Sequence, residues 1–220
     1  MIKAILFDFD GTIVDSLKHH FDTFKKTAAF FGKDFTDEEI VKKALYPTED
    51  QAKIFEEKGV DIDEFWKLQN ENLTEAFANL QMHQHLEGVL KSLRSQGLKF
   101  AILSFAPRES ILRELKKFGI EDCFEVVLGW GDVEKPKPDP AIALKALEKM
   151  SIKKEEAVLI GDTHFDILTG KNAGILTGLF VPENNRLYAD IDLYRSTNPD
   201  FEFQNYLELQ GEIKRLQTLK

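Results

Sequence analysis

Ile2-Lys3-Ala4-Ile5-Leu6-Phe7-Asp8-Phe9-Asp10-Gly11-Thr12-Ile13-Val14-Asp15 is the stretch on which the fold turns. The run to Phe7 is short and rich in large apolar residues, as a parallel strand buried on both faces should be. Two carboxylates, Asp8 and Asp10, follow at once. In extended backbone, residues i and i+2 project to the same side, so both would face one crevice. Like charges that close are costly unless a cation or a proton stands between them. Such a pair at the mouth of a buried strand marks a candidate site.

Downstream, residues 16–84 carry helical periodicity. Phe21, Phe24, Ala28 and Phe31 recur at helical spacing before Gly32, a C-cap residue, and the rings of Phe21, Phe24, Phe30, Phe31 and Phe35 read as the core of a helical unit. Thr36-Asp37-Glu38-Glu39 has the pattern of a capping box for a helix to Leu45 that Pro47 would stop. Thr48 opens another helix ending near Gly59, and Asp61 or Asp63 caps one through Leu80. Nothing in this block alternates with period two.

From about residue 86 helices and strands take turns. The strands are read at Lys99–Leu103, Glu125–Leu128, Ala157–Ile160 and within Ile175–Val181. The intervening helices are read at 86–96, 108–118, 139–149 and 165–172. Residues 183–205 read as an irregular end with a short edge strand at most, and 205–219 as a closing amphipathic helix. This alternation implies an α/β fold, a doubly wound, parallel, Rossmann-like sheet with right-handed crossovers. The expected organisation is a core of 1–15 and 85–220 interrupted by a helical domain over 16–84.

The bulk composition bounds the function. Of 220 residues, 29 are Lys or Arg and 38 Asp or Glu, so the net charge of −9 argues against nucleic acid or an anionic membrane as partner. Cys123 is the only cysteine, which excludes an intrachain disulfide or a cysteine metal cluster and reads as a core residue. No signal-peptide pattern or bilayer-length apolar run is present, so a soluble, cytoplasmic protein is expected. The five histidines lack zinc spacing.

Ligands of open parallel sheets bind outside the carboxyl ends of the strands. There the sequence places Asp8, Asp10, Gly11 and Thr12, then Ser104, then a loop with Asp132, Glu134, Lys135 and Lys137, then Gly161, Asp162 and Asp166. Carboxylates, a hydroxyl and lysines suit a hard divalent cation beside a phosphoryl group. Taken singly, Asp15 reads as an N-cap, Asp166 as a first-turn helix charge, and Lys137 as a solvated loop charge, with Lys135 the preferred lysine.

The set Asp8-x-Asp10-Gly11-Thr12, Ser104, Lys135-Pro136-x-Pro138 and Gly161-Asp162-x-x-x-Asp166 resembles the haloacid dehalogenase superfamily, in its motif order. The helical block falls where that family carries its C1 cap, so the resemblance spans most of the chain and is nearest the phosphoglycolate phosphatase or pyrophosphatase branch. It implies a phosphatase acting on a small phosphorylated metabolite. Asp8 would be the nucleophile and Asp10 the general acid and base. Asp8, Asp10 (through its carbonyl), Asp162 and Asp166 would hold Mg²⁺, while Gly11, Thr12, Ser104 and Lys135 would serve the phosphoryl group. Phe105 departs from the family, where Asn often follows the hydroxyl residue; it could wall the pocket, with Arg108 replacing the lost polar contact. His20 keeps a β-phosphoglucomutase-like phosphosugar mutase as the alternative, although such mutases commonly lack the second Asp of the last motif. A non-catalytic phospho-acceptor or regulatory protein is the other reading. A dehalogenase would lack Asp10, and no lysine in 16–84 marks a phosphonate hydrolase.

Overall fold

The computed structural model describes residues 1–46 and 48–218. Pro47, read as a helix stop, and Leu219, at the end of the closing helix, lie outside them. Six parallel strands form one sheet: β1 (Ala4–Phe7), β2 (Lys99–Leu103), β3 (Val126–Leu128), β4 (Ala157–Gly161), β5 (Leu176–Phe180) and β6 (Phe201–Phe203). Their order is β3-β2-β1-β4-β5-β6, so the first strand is central and the chain reverses direction of travel beside it. β1 pairs with β2 through Ala4–Lys99 to Phe7–Ile102, and with β4 through Ala4–Ala157 to Phe7–Ile160. All four β1 residues are buried, as expected of a strand covered on both faces.

The described residues form ten α-helices: α1 (Leu17–Phe30), α2 (Asp37–Glu39), α3 (Glu49–Lys58), α4 (Ile62–Ala76), α5 (Leu86–Ser95), α6 (Arg108–Phe118), α7 (Ala141–Met150), α8 (His164–Ala173), α9 (Ile191–Ser196) and α10 (Tyr206–Thr218). The contacts divide the described chain into two units. One comprises Met1–Val14, Met82–Glu183 and Ile191–Lys220; the other comprises Asp15–Gln81 with Asn184–Asp190.

In the sheet unit, Ala4, Leu6, Ala101, Leu103 and Leu159 alternate onto one face and pack under Ile142, Ala143, Ala146 and Leu147 of α7. The small side chains at 143 and 146 let this helix lie close to the strands. On the β1–β2 side, Phe7, Phe100 and Phe124 meet with centroids 5.8–6.5 Å apart. Cys123 is buried beside Phe124.

The helical unit is built on phenylalanine, although Phe30, expected in this core, stands exposed on the outer side of α1. Phe24 touches Phe35, Phe55 and Phe65, with centroid separations from 4.8 to 6.1 Å. Between α1 and α4 a buried polar network is satisfied internally: Gln69 donates to Thr23 Oγ1 (2.9 Å) and accepts from Thr27 Oγ1 (2.8 Å). The Asn184–Asp190 segment joins this unit by packing the Tyr188 ring at a tilt against Phe21, centroids 5.2 Å apart.

The expected capping box forms, with Glu39 N–H donating to Thr36 and Thr36 N–H to Glu39. The helix it opens, however, passes into a π-helical stretch over Ile40–Ala44. Asp61 rather than Asp63 caps α4, accepting from the Asp63 and Glu64 amides. Asp15 is not the N-cap of α1: Ser16 holds that position, its side chain making no capping bond, while the Asp15 amide donates to Gln81 O. The stretch 183–205, expected to be irregular with a short edge strand at most, does contain a short edge strand, parallel to β5, but also holds the helix α9. Among the described residues, no helix is long and apolar enough to cross a membrane.

Candidate active site

The reversal of the sheet at β1 and β4 opens a crevice at their carboxyl ends, where ligands of doubly wound folds bind. Asp8 stands immediately past β1, and its amide still pairs with the Ile160 carbonyl of β4 (2.8 Å). Asp162 stands immediately past β4. Neighbouring strands thus bring together two carboxylates 154 positions apart in sequence, 162 less 8.

Beyond Asp8 the chain turns sharply. The Phe9 carbonyl accepts from the amides of Thr12 (3.3 Å), Ile13 (2.8 Å) and Val14 (3.2 Å). Gly11 takes φ +75°, and a Cβ there would collide with the Asp162 carboxylate. Glycine is required on both counts, left-handed backbone and close approach. Asp10 is half-buried and bridges to Val14 along the backbone.

At the first turn of α8, Asp166 closes a capping box, its Oδ2 accepting from Thr163 N–H (3.1 Å) and Thr163 Oγ1 (2.6 Å). Its other oxygen faces the crevice cation. Gly161 makes room for this, since a Cβ there would strike the Asp166 side chain.

That cation is Lys137. Its ammonium lies 2.6 Å from Asp8 Oδ1 and 2.5 Å from Asp166 Oδ1, with only 2% of the side chain exposed. This corrects the sequence expectation: Lys135 is exposed, and Lys137, assigned to solvent, is the lysine in the site. The signal was present in the frame Pro136-Lys137-Pro138. A residue before proline is held extended and proline fixes its own φ, so this backbone aims one side chain inward rather than leaving it in a mobile loop.

Three carboxylates, those of Asp8, Asp162 and Asp166, bring one oxygen each to within 4.8 Å of the others, all from buried residues. Burial drives the Asp8 carboxyl up to about 7; Lys137 opposes that shift and Asp166 adds to it. Burial, then repulsion from Asp8 and Asp166, holds Asp162 well above the usual carboxylate range, against the bond from Thr12. For Lys137, burial disfavours the charge, but Asp166 and Asp8 outweigh it and raise the ammonium above the ordinary lysine value.

The set fits a divalent cation by two observations. Lys137 balances only part of the negative charge of three buried carboxylates. Asp162 Oδ2 is buried and makes no hydrogen bond, whereas Oδ1 accepts from Thr12 Oγ1 at 3.0 Å. An all-oxygen donor set matches a hard ion such as Mg²⁺ and suits soft metals poorly.

Of the other expected phosphate contacts, Thr12 takes a different place and Ser104 keeps its position at the end of β2. The Thr12 hydroxyl is directed at Asp162, so it orders that carboxylate. Ser104, 4% exposed at the end of β2, points its oxygen at the Ala106 amide (3.0 Å), which leaves its own O–H to donate. Phe105 lies under the Lys137 ammonium (5.3 Å to the ring centre) and packs edge-on against Phe165. Arg108 does not replace a polar contact in the crevice; its Nε donates to the Val127 carbonyl of edge strand β3. His20 sits on α1 within the helical unit, its ring 5.6 Å from that of Phe77.

Sequence reasoning also missed His83 and Tyr206. The His83 Nε2 lies 3.0 Å from the Gly11 carbonyl and the Tyr206 hydroxyl 2.5 Å from that of Thr12. No motif flags them, because both act on backbone from distant parts of the chain.

The family model described as haloacid dehalogenase-like hydrolase matches residues 5–179. A protein named pyrophosphatase PpaX from Halalkalibacterium halodurans is 31% identical over 94% of this chain and 95% of its own. Another of that name from Listeria welshimeri is 34% identical over 80% and 82%. Among solved structures, a haloacid dehalogenase-like hydrolase from Streptococcus pneumoniae superposes with a TM-score of 0.78 at 22% identity, covering 96% of this chain and 98% of that one. CbbY from Rhodobacter sphaeroides, in complex with xylulose-(1,5)bisphosphate, superposes with a TM-score of 0.75 at 20% identity, covering 95% and 96%.

Proposed function

The chain belongs to the haloacid dehalogenase-like hydrolases, and from that premise we propose that it is a Mg²⁺-dependent phosphatase of small phosphorylated metabolites, working in the cytoplasm through a phosphoryl group carried on Asp8. The observation that carries the reading is the buried cluster of Asp8, Lys137 and Asp166 with the unbonded Oδ2 of Asp162, set at the reversal point of the sheet. Pyrophosphate is the first substrate to test, since the relatives at 31% and 34% identity are named for it, and phosphoglycolate is the second.

In this mechanism an Asp8 carboxylate oxygen attacks phosphorus, and the bond to the leaving oxygen breaks as Asp10 gives that oxygen its proton. Water then attacks the aspartyl-phosphate, Asp10 takes the water proton, and Asp8 and phosphate are released. Lys137 favours the ionised form of Asp8 against the burial that raises its carboxyl and, with the Ser104 hydroxyl, offers donors to the phosphoryl oxygens as charge develops. Mg²⁺ held by Asp8, Asp162 and Asp166, with the Asp10 carbonyl, would supply charge neutralisation between an anionic nucleophile and an anionic substrate. The Asp15–Gln81 unit, in the sequence position of the family's cap, is read as the part that selects the substrate.

The test is phosphate release from pyrophosphate, phosphoglycolate, sugar phosphates and nucleoside monophosphates, with Mg²⁺ and with excess chelator. Release that needs Mg²⁺ and disappears in a folded Asp8→Asn variant is expected. Undiminished release by that variant would sink the mechanism, and no release by the folded, Mg²⁺-bound wild type would sink the phosphatase reading. Isomerisation of a sugar phosphate without net release would assign a mutase instead.

A further inference from the structure

The turn carrying the two aspartates is held by more than its own sequence. Two successive peptide groups, Gly11–Thr12 and Thr12–Ile13, are engaged at both ends. Their amide N–H groups, on Thr12 and Ile13, point to the Phe9 carbonyl. Their carbonyls point away from it, that of Gly11 to His83 Nε2 (3.0 Å) and that of Thr12 to the Tyr206 hydroxyl (2.5 Å). Phe9, the acceptor inside the turn, is the residue between Asp8 and Asp10. A peptide plane bonded at N–H and at C=O cannot rotate without breaking both bonds, so the two carbonyl contacts lock the turn from outside.

The two donors are themselves held by aromatic packing. The His83 ring meets Phe180 of β5 edge-on at 4.8 Å, and Phe180 lies 5.2 Å from Tyr206 and 5.0 Å from Phe203 of β6. Tyr206 is fully buried at the start of α10. A carbonyl only accepts, so His83 must carry a proton on Nε2. The rim of the sheet farthest along the chain, β5, β6 and α10, is thereby wired to the turn after the first strand.

We propose that His83 and Tyr206 are positioning residues, which set the Asp8–Asp10 turn in its reactive geometry by gripping the Gly11 and Thr12 carbonyls. The proposal rests on the function assigned to Asp8 and Asp10 for its kinetic half only; its structural half stands without it. Side chains that must meet phosphorus within a few tenths of an ångström are sensitive to such support, and small misplacements cost rates up to about a hundredfold.

The experiment uses Tyr206→Phe, which deletes one hydroxyl and keeps the ring, and His83→Gln and His83→Leu, of which only the first keeps an N–H near the Nε2 position. Residue-resolved amide exchange is measured on the Mg²⁺-free chain, and kcat and KM on the substrate that the wild type hydrolyses best. Loss of one such bond should speed exchange at the Thr12 and Ile13 amides about tenfold while the β1 amides stay as in the wild type. Turnover should fall about ten- to a hundredfold in kcat with KM within about twofold, and Gln should restore most of what Leu loses. Unchanged exchange at Thr12 and Ile13 in Tyr206→Phe overturns the proposal. So does faster exchange with unchanged kcat, or a loss in kcat that Gln and Leu share equally at position 83. If the wild type hydrolyses no phosphate ester, the assigned function fails, and the exchange data alone decide whether the clamp exists. A His83 or Tyr206 variant that unfolds is replaced by the other, since each grips a separate carbonyl.

Discussion

Replacing Lys137 by Met removes a buried ammonium from between two carboxylates and keeps a chain of similar bulk. The wild-type contacts are 2.6 Å to Asp8 and 2.5 Å to Asp166, in a site from which water is nearly excluded. Stripping one partner from a buried ion pair costs about 3–5 kcal/mol, because the remaining charge is left without compensation. At about 2–4 °C per kcal/mol for a chain of this length, the Mg²⁺-free protein should melt roughly 6–20 °C lower near pH 8. The loss depends on pH with a definite sign. In the wild type, burial already raises the Asp8 carboxyl from 3.8 to about 7, against the pull of Lys137. A raised carboxyl destabilises the folded state as pH climbs from the unfolded value through the folded one, because the unfolded chain gives up its proton first. Without Lys137 the folded value moves higher still, so the penalty keeps growing above pH 7, where the wild-type contribution has levelled off. At pH 5 both proteins hold Asp8 protonated, and the gap should shrink. The measurements are thermal unfolding in chelator at pH 5 and pH 8, and kcat against pH with Mg²⁺, where the variant should be slower and its rising limb displaced to higher pH. Equal melting temperatures at pH 8 together with wild-type turnover at pH 7 would refute the assignment of Lys137 as the counter-charge of Asp8.

Two other perturbations probe the same crevice. Gly11→Ala places a Cβ on a residue at φ +75° and drives it into the Asp162 carboxylate. A stability loss of at least about 1–2 kcal/mol for the left-handed backbone is expected by denaturant titration, with weaker Mg²⁺ binding by calorimetry because an intended ligand is displaced. Mg²⁺ itself should stabilise the wild type by about 2.7 kcal/mol at a hundredfold excess over its dissociation constant. The shift should be smaller at pH 6 than at pH 8, since Asp8, with its carboxyl near 7, must release a proton to bind the ion. Thermal shift at fixed Mg²⁺ and two pH values measures it, and a pH-independent shift would remove Asp8 from the ligand set.

Much of the fold could be read from local pattern. Lys99–Leu103 and Arg108–Phe118 have the bounds that their periodicity and flanking residues imply. The α9 helix escaped because it is only six residues long and lies among polar residues, too short for a helical period to show. The π-helical stretch after Glu39 also has no composition of its own; hydrogen-bond spacing defines it, and apolar spacing cannot tell i→i+5 from i→i+4 over one turn.

For the site, the amino-acid order alone already put Asp8, Asp10, Ser104, Asp162 and Asp166 at strand ends, because a buried apolar run followed at once by polar groups can only deliver them to a carboxyl edge. Which charges meet was a matter for the folded chain. Lys137 rather than Lys135 reaches Asp8 and Asp166 because the loop after β3 turns one lysine in and the other out, a difference of direction that residue type does not encode. Thr12 serves Asp162, and His83 and Tyr206 grip the turn carbonyls, only because β4, β5 and α10 are packed against it. Local sequence sets backbone preference and side-chain chemistry over a few residues, whereas contacts between residues 29 to 194 positions apart exist only once burial of the whole sheet has brought them to hydrogen-bonding distance.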